Sequence, residues 1–220
     1  MKALLVDDHP LFLQGLSLLL EHDFDAVQAL QAHSVAEAER ALQRDPSIAL
    51  VLLDLGLPDS EGTEGLKHLR ERHPEPTYVV MSADERPQTI LGAIELGAAG
   101  YLPKTTHTDV LRTALHTLME GGVYLPSSAL AMAAASDLIG APASSRICTP
   151  EELGLSARQA EVLALLMEGK SNKLICRALD LGEATVKTHL GAVFRRLGVN
   201  SRTQAVVEAA RLGLRLPHRW

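Results

Sequence analysis

The first half of the chain groups its apolar residues into short unbroken blocks, and the last third spaces them three and four residues apart. One block, Ile48 to Leu53, ends on a single carboxylate, Asp54, and passes at once into Leu55-Gly56-Leu57-Pro58-Asp59. A strand buried on both faces of a parallel sheet reads as such a run. Blocks at 3–6, 26–31, 77–81 and 100–102 predict four more strands. Helical segments at 11–20, 34–43, 63–72, 87–96 and 108–120 lie between and after them. Ser34-Val35-Ala36-Glu37 reads as a capping box, Pro87 suits a first helical position, and Gly97 and Gly121-Gly122 stop helices. Five strands alternating with five helices predict an α/β fold, a five-stranded doubly wound parallel sheet.

Beyond residue 121 the pattern changes. Small apolar residues at 129–135 predict a short helix, and Gly, Pro, Ser and Thr gather over 140–150 as a linker. From 153 onward the signals are all helical. Ser156-Ala157-Arg158-Gln159 is a capping box before an apolar run that Gly169 ends. Further helices follow at 171–179 and 183–197, and Ser201-Arg202-Thr203-Gln204 caps a last one that runs to 212. Val186, Leu190, Val193 and Leu197 form one apolar stripe, opposite a face with Thr185, Lys187, Thr188, His189, Arg195 and Arg196. A short helix, a tight turn and a helix with a basic exposed face make a helix-turn-helix layout. The chain therefore divides into 1–121, a connecting segment 122–152, and an all-α four-helix domain at 153–220.

Charge sharpens this division. The net charge of −6 is unevenly shared. Residues 1–121 carry 9 Lys and Arg against 19 Asp and Glu, whereas 150–220 carry 11 against 7. The basic end suits an acidic partner such as double-stranded DNA. The mean hydropathy of +0.07 argues against disorder. No apolar run reaches the roughly 18 residues of a membrane helix, and Asp7-Asp8 follows the first block too soon for an export signal. Cys148 and Cys176 have no CxxC or zinc spacing. A cytoplasmic protein with reduced thiols and no membrane partner is the expectation.

The polar residues acquire meaning from their place. Asp54 by itself reads equally as the cap of the next turn. Yet Asp7 and Asp8 close the first strand, Asp54 the third, Ser82 the fourth, and Lys104 follows the fifth. In an open α/β sheet these strand ends converge on one edge, where such folds place their chemistry. Carboxylates gathered there repel one another unless a hard cation sits among them, and Mg²⁺ takes just such carboxylates alongside a phosphate. Lys104 as a point charge and Ser82 as a hydroxyl donor are what a transferred phosphoryl group needs.

At these residues the first domain resembles the response-regulator receiver domain, of flavodoxin-like topology, and the whole chain resembles the NarL/FixJ-type two-component transcription factors. The resemblance implies that Asp54 is the phospho-acceptor, taking its phosphoryl group from a sensor histidine kinase. It implies that Asp8 and Asp54 hold Mg²⁺ with the Gly56 carbonyl, and that Asp7 acts mainly through water. Lys104 would pair with phosphoryl oxygens, Ser82 would move inward to bond one, and Tyr101 matches the aromatic position that follows. Taken by itself, Tyr101 reads equally as a half-buried tyrosine on an edge strand. One departure is that Pro103 precedes Lys104, where the family often has a proline after the lysine, commonly in a cis bond. A cis Lys104–Thr105 bond would cost roughly 3 kcal/mol without proline's help.

Leu155-Ser156-Ala157-Arg158-Gln159-Ala160-Glu161-Val162-Leu163 and Thr185-Val186-Lys187-Thr188-His189-Leu190 resemble the LuxR-type DNA-binding domain. That implies a recognition helix at 183–197 in the major groove, with Lys187, Thr188 and His189 at base edges or nearby phosphates and Thr185 on the same face. Asn172, Lys173 and Arg196 would contact phosphates. Two departures stand out: Leu174 occupies the usual glutamate of the second helix's capping box, and Gly182 replaces the usual Ser or Thr before the recognition helix. The expected function is a transcription regulator, not an enzyme, switched by phosphorylation of Asp54 and binding paired half-sites as a homodimer. Two alternatives differ from it. One is a DNA-binding regulator whose receiver is a phosphorylation-independent dimerisation platform. The other is an aspartyl-phosphate phosphatase of haloacid-dehalogenase type, which needs a second Asp where Gly56 stands.

Overall fold

The computed structural model describes residues 1–24, 27–135 and 149–216, which fall into two compact units, Met1–Leu115 and His116–Trp220. Position 26, at the start of the predicted second strand, lies outside the described residues, as do 136–148 with Cys148 and most of the predicted linker. The first unit contains strands β1 (Lys2–Val6), β2 (Gln28–Ala32), β3 (Ile48–Asp54), β4 (Thr77–Ser82) and β5 (Gly100–Pro103). They alternate with α1 (Pro10–Asp23), α2 (Val35–Arg44), α3 (Glu64–Arg72) and α4 (Pro87–Glu95), and α5 (Thr108–Met119) follows β5.

All strand pairs are parallel, in the order β2-β1-β3-β4-β5. β3 is buried at every position except Ala49, as its unbroken apolar run requires. Register then positions the site. Val6 pairs with Leu53, Asp54 with Met81, and Ser82 with Pro103, so Asp7, Asp54, Ser82 and Lys104 all emerge at the carboxyl edge. The strand order reverses between β1 and β3, and Asp7 and Asp54 stand at that switch point.

The capping box predicted at α2 forms only in part. Ser34 Oγ accepts from the Glu37 N–H, but the Glu37 carboxylate reaches the N–H of His33, one residue before the cap. The carboxylate of Asp59 takes the N–H groups of Val35 and Ala36 at 2.9 and 3.0 Å. A residue of the β3–α3 loop thereby completes the cap of α2.

The second unit comprises α6 (Ser127–Ala135), α7 (Ala157–Met167), α8 (Asn172–Leu179), α9 (Glu183–Leu197) and α10 (Arg202–Arg211). Val162, Leu163, Leu166, Ile175, Leu179, Val186, Leu190, Val193 and Leu197 form its core, with Val206 and Ala209 from α10. The whole apolar stripe read on α9 faces inward. Val123 belongs to the same core, and α6 packs against α10. Gly122 is required there: a Cβ would lie 2.7 Å from the Gly169 carbonyl oxygen. Among the described residues no helix is long and apolar enough to cross a membrane.

Candidate functional site

At the sheet edge, Asp7 and Asp54 are 2% and 5% exposed, and both carboxylates meet one cation. Lys104 Nζ lies 2.7 Å from Asp7 Oδ2 and 2.7 Å from Asp54 Oδ2, with the Phe12 ring 5.0 Å away. Burial pulls the Lys104 pKa down, but the hydrogen bonds and charges of Asp54 and Asp7 outweigh it and hold the ammonium above its ordinary value. The peptide bond after Lys104 is trans, as are all among the described residues, so the lysine reaches the carboxylates without the cis geometry that the family resemblance raised. Its own N–H donates to the Ser82 carbonyl at 2.9 Å, extending the β4–β5 register one step to the site.

Ser82 is 4% exposed and its Oγ accepts from the Asp84 N–H at 3.2 Å. Tyr101 is fully buried rather than half-buried, and its side chain reaches the β4–α4 loop. There its hydroxyl donates to the carbonyl of Asp84, the residue whose N–H donates to the Ser82 side chain. Burial raises the phenol above its usual pKa. Asp8 is exposed, and His9 joins the acidic pair. His9 Nδ1 is 2.7 Å from Asp8 Oδ1 and 3.1 Å from Asp7 Oδ1, and its backbone N–H donates to Asp7 Oδ1. Sequence reasoning missed His9, although its place directly after Asp7-Asp8 was a signal. These groups border an open cavity of about 680 Å³ lined by His9, Asp54, Gly56, Ser82, Arg86 and Lys104 among others.

The donor set fits Mg²⁺. Asp7, Asp8, His9 and Asp54 each offer a ligand atom within 4.8 Å of the others, and three of the four are carboxylates, the oxygen ligands a hard cation takes. Gly56 keeps the approach open: a Cβ there would sit 3.2 Å from Asp54 Oδ2.

In the helical unit, α8 ends on Asp180 in the left-handed conformation (φ 53°), and Leu181 and Gly182 complete the turn into α9. Arginines hold both ends of α8. Arg158 donates to the Leu179 carbonyl at 2.6 Å, and Arg202 donates to the Lys170 carbonyl at 2.6 Å and to Asn172 Oδ1 at 3.3 Å. Burial lowers the Arg202 pKa to about 10. Nothing in the local sequence marked Arg202, since its partners lie thirty residues away. Lys173, Thr185, Lys187, Thr188 and Arg196 are exposed, His189 is half-buried, and Asn172 is half-buried with its oxygen already engaged. Thr188 Oγ1 donates to the Ala184 carbonyl at 2.9 Å, and Lys187 Nζ lies 2.7 Å from Glu183 Oε1. The expected basic face is thus present, with an acid within it.

Comparison with known proteins agrees with both units. Residues 3–116 match the model of the response regulator receiver domain, and residues 153–209 match that of the bacterial regulatory proteins of the luxR family. The chain is 34% identical to the nitrate/nitrite response regulator NarL of Escherichia coli K12, over 93% of this chain and 92% of that protein. It is 30% identical to the glycerol metabolism activator of Pseudomonas putida, over 94% of each. A crystal structure of a LuxR family DNA-binding response regulator from Silicibacter pomeroyi matches with a TM-score of 0.52 at 32% identity, covering 58% of this chain and 98% of that one. These relatives are regulators, not phosphatases. The chain belongs to the two-component response regulators, with a receiver domain followed by a LuxR-type DNA-binding domain.

Proposed function

We propose that this regulator is switched by Mg²⁺-dependent phosphorylation of Asp54 by a sensor histidine kinase in the cytoplasm, and that it binds paired half-sites on double-stranded DNA as a dimer. One observation carries this: a lysine ammonium held between two buried carboxylates at the strand ends, with a hydroxyl and an acidic cation-binding set beside it. An Asp54 carboxylate oxygen attacks the phosphorus of a phosphohistidine. The N–P bond breaks, an acyl-phosphate O–P bond forms, and the imidazole nitrogen leaves with the electron pair. Lys104 then trades a carboxylate oxygen for a phosphoryl oxygen, and Ser82 turns its hydroxyl toward another. Asp8, Asp54 and the Gly56 carbonyl would hold Mg²⁺, with Asp7 acting through water, and the ion would supply positive charge to offset that on the phosphoryl oxygens. Because Ser82 at the end of β4 and Tyr101 on β5 both bond the backbone of Asp84, in the loop between β4 and α4, moving Ser82 repositions Tyr101, which biases the receiver between two states.

On DNA, α9 lies in the major groove with Lys187, Thr188 and His189 toward base edges and Thr185 beside them. Lys173 and Arg196 contact phosphates, and Asn172 does so through its amide nitrogen, since its oxygen accepts from Arg202. The test is a titration of full-length protein against duplex DNA, with and without beryllofluoride and Mg²⁺, for wild type and Asp54→Ala. The expected result is tighter binding by wild type alone on addition of beryllofluoride. Equal binding by both proteins under all conditions refutes the switch and leaves the receiver a phosphorylation-independent platform.

A further inference from the structure

We propose that Glu183 is a specificity-determining residue: paired with Lys187, it offers the major groove an acceptor and a donor side by side, the pattern that suits a C·G base pair. This rests on the reading that α9 enters the major groove. With Val186, Leu190, Val193 and Leu197 turned to the core, helical geometry turns Ala184, Thr188, Gly191 and Arg195 outward and sets Glu183 and Lys187 along one flank. The first three outward positions offer the groove little to donate. Ala184 has no polar group, and the Thr188 hydroxyl proton is spent on the Ala184 carbonyl at 2.9 Å. Gly191 projects nothing, and a Cβ added there would meet no atom within 4 Å. At the start of the helix, the part of a recognition helix that meets base edges, charged readout therefore falls to Glu183 and Lys187, with Thr185 and His189 on the opposite flank.

On that flank Lys187 Nζ lies 2.7 Å from Glu183 Oε1, and their side chains are 63% and 65% exposed. An exposed pair one helical turn apart contributes little to stability. A carboxylate brought against DNA is repelled by the phosphates, and its Lys187 partner is withheld from them. The pair recovers that loss where cytosine N4 donates to the carboxylate and guanine O6 and N7 accept from the ammonium. The simpler role, an acid favoured at a helix N-terminus, needs no particular base and predicts no change in sequence preference.

The experiment is enrichment from a random duplex pool by full-length wild type, Glu183→Gln and Glu183→Ala, with binding to a mixed-sequence duplex followed against salt. Wild type should enrich a C·G pair at one position of each half-site. Glu183→Ala should lose about tenfold of that preference at that position alone. Its binding to the mixed duplex should tighten and its log–log salt slope steepen by about 0.9, as Lys187 finds a phosphate. Glu183→Gln should move the preference toward A·T, the pair a glutamine amide reads best. Because this variant is nearly isosteric, it decides the outcome if the alanine variant loses helicity. Identical motifs from all three proteins overturn the proposal while leaving DNA binding intact. A wild type that enriches nothing overturns sequence reading by α9, and the proposal with it.

Discussion

Replacing Lys104 by Met tests whether one ammonium holds the acidic pocket together. Met keeps the length of the stem and can meet the Phe12 ring through its thioether, while it removes the charge that now lies 5.0 Å from that ring. Both carboxylate oxygens lie 2.7 Å from Nζ, hence within twice that distance of each other. At about 5 Å, with an effective dielectric constant of about 20, two like charges repel by about 3 kcal/mol. Stripping the shared partner from buried charges costs about 3–5 kcal/mol, a compatible figure. For a unit of this size, 3 kcal/mol corresponds to roughly 10 °C in unfolding midpoint. Scanning calorimetry of the full chain in a chelating buffer should show that loss in one transition. Millimolar Mg²⁺ should restore more to Lys104→Met than to wild type, because the cation replaces the charge the variant lacks. A variant midpoint within about 2 °C of wild type in chelator would refute the charge clamp.

Three further outcomes follow from local geometry. Ser171 Oγ accepts from the Leu174 N–H at 3.4 Å, and Leu174 is 38% exposed, so Leu174→Glu can complete the reciprocal box. It should add about 0.5 kcal/mol and raise the melting midpoint of the helical unit by about 2 °C; a rise below 1 °C counts against the cap. Asp180→Gly should stabilise the same unit by about 0.5–1 kcal/mol in urea titration by relieving a left-handed non-glycine residue, and a loss would mean that the Asp180 side chain holds the turn. The Lys2 ammonium, then the Ser47 hydroxyl and N–H, hold Asp45 down to about 2 from an ordinary 3.8. A depressed carboxylate gives stability that is present above pH 3.8 and lost as pH falls toward 2. Lys2→Ala should therefore lose less than wild type between pH 4 and pH 2 in urea midpoints; parallel curves would refute the linkage.

Residue pattern alone determined a great deal of this protein. Unbroken apolar runs, capping signals and the Val186–Leu197 stripe specify alternating strands and helices, then a helical bundle, because burial on one face or two leaves a different period in the sequence. The site residues were legible because a parallel sheet delivers every strand's carboxyl end to one edge, however far apart those residues lie in the chain. Contacts between elements were not legible. That Lys104 bridges Asp7 and Asp54, that Asp59 caps α2, that Arg202 is spent on Lys170 and Asn172, and that Tyr101 is buried depend on distances across elements. A one-dimensional pattern carries the face on which a side chain lies. Which long polar side chain finds which partner is decided only when packing brings the elements together, since several acceptors compete for each cation and tertiary geometry selects among them.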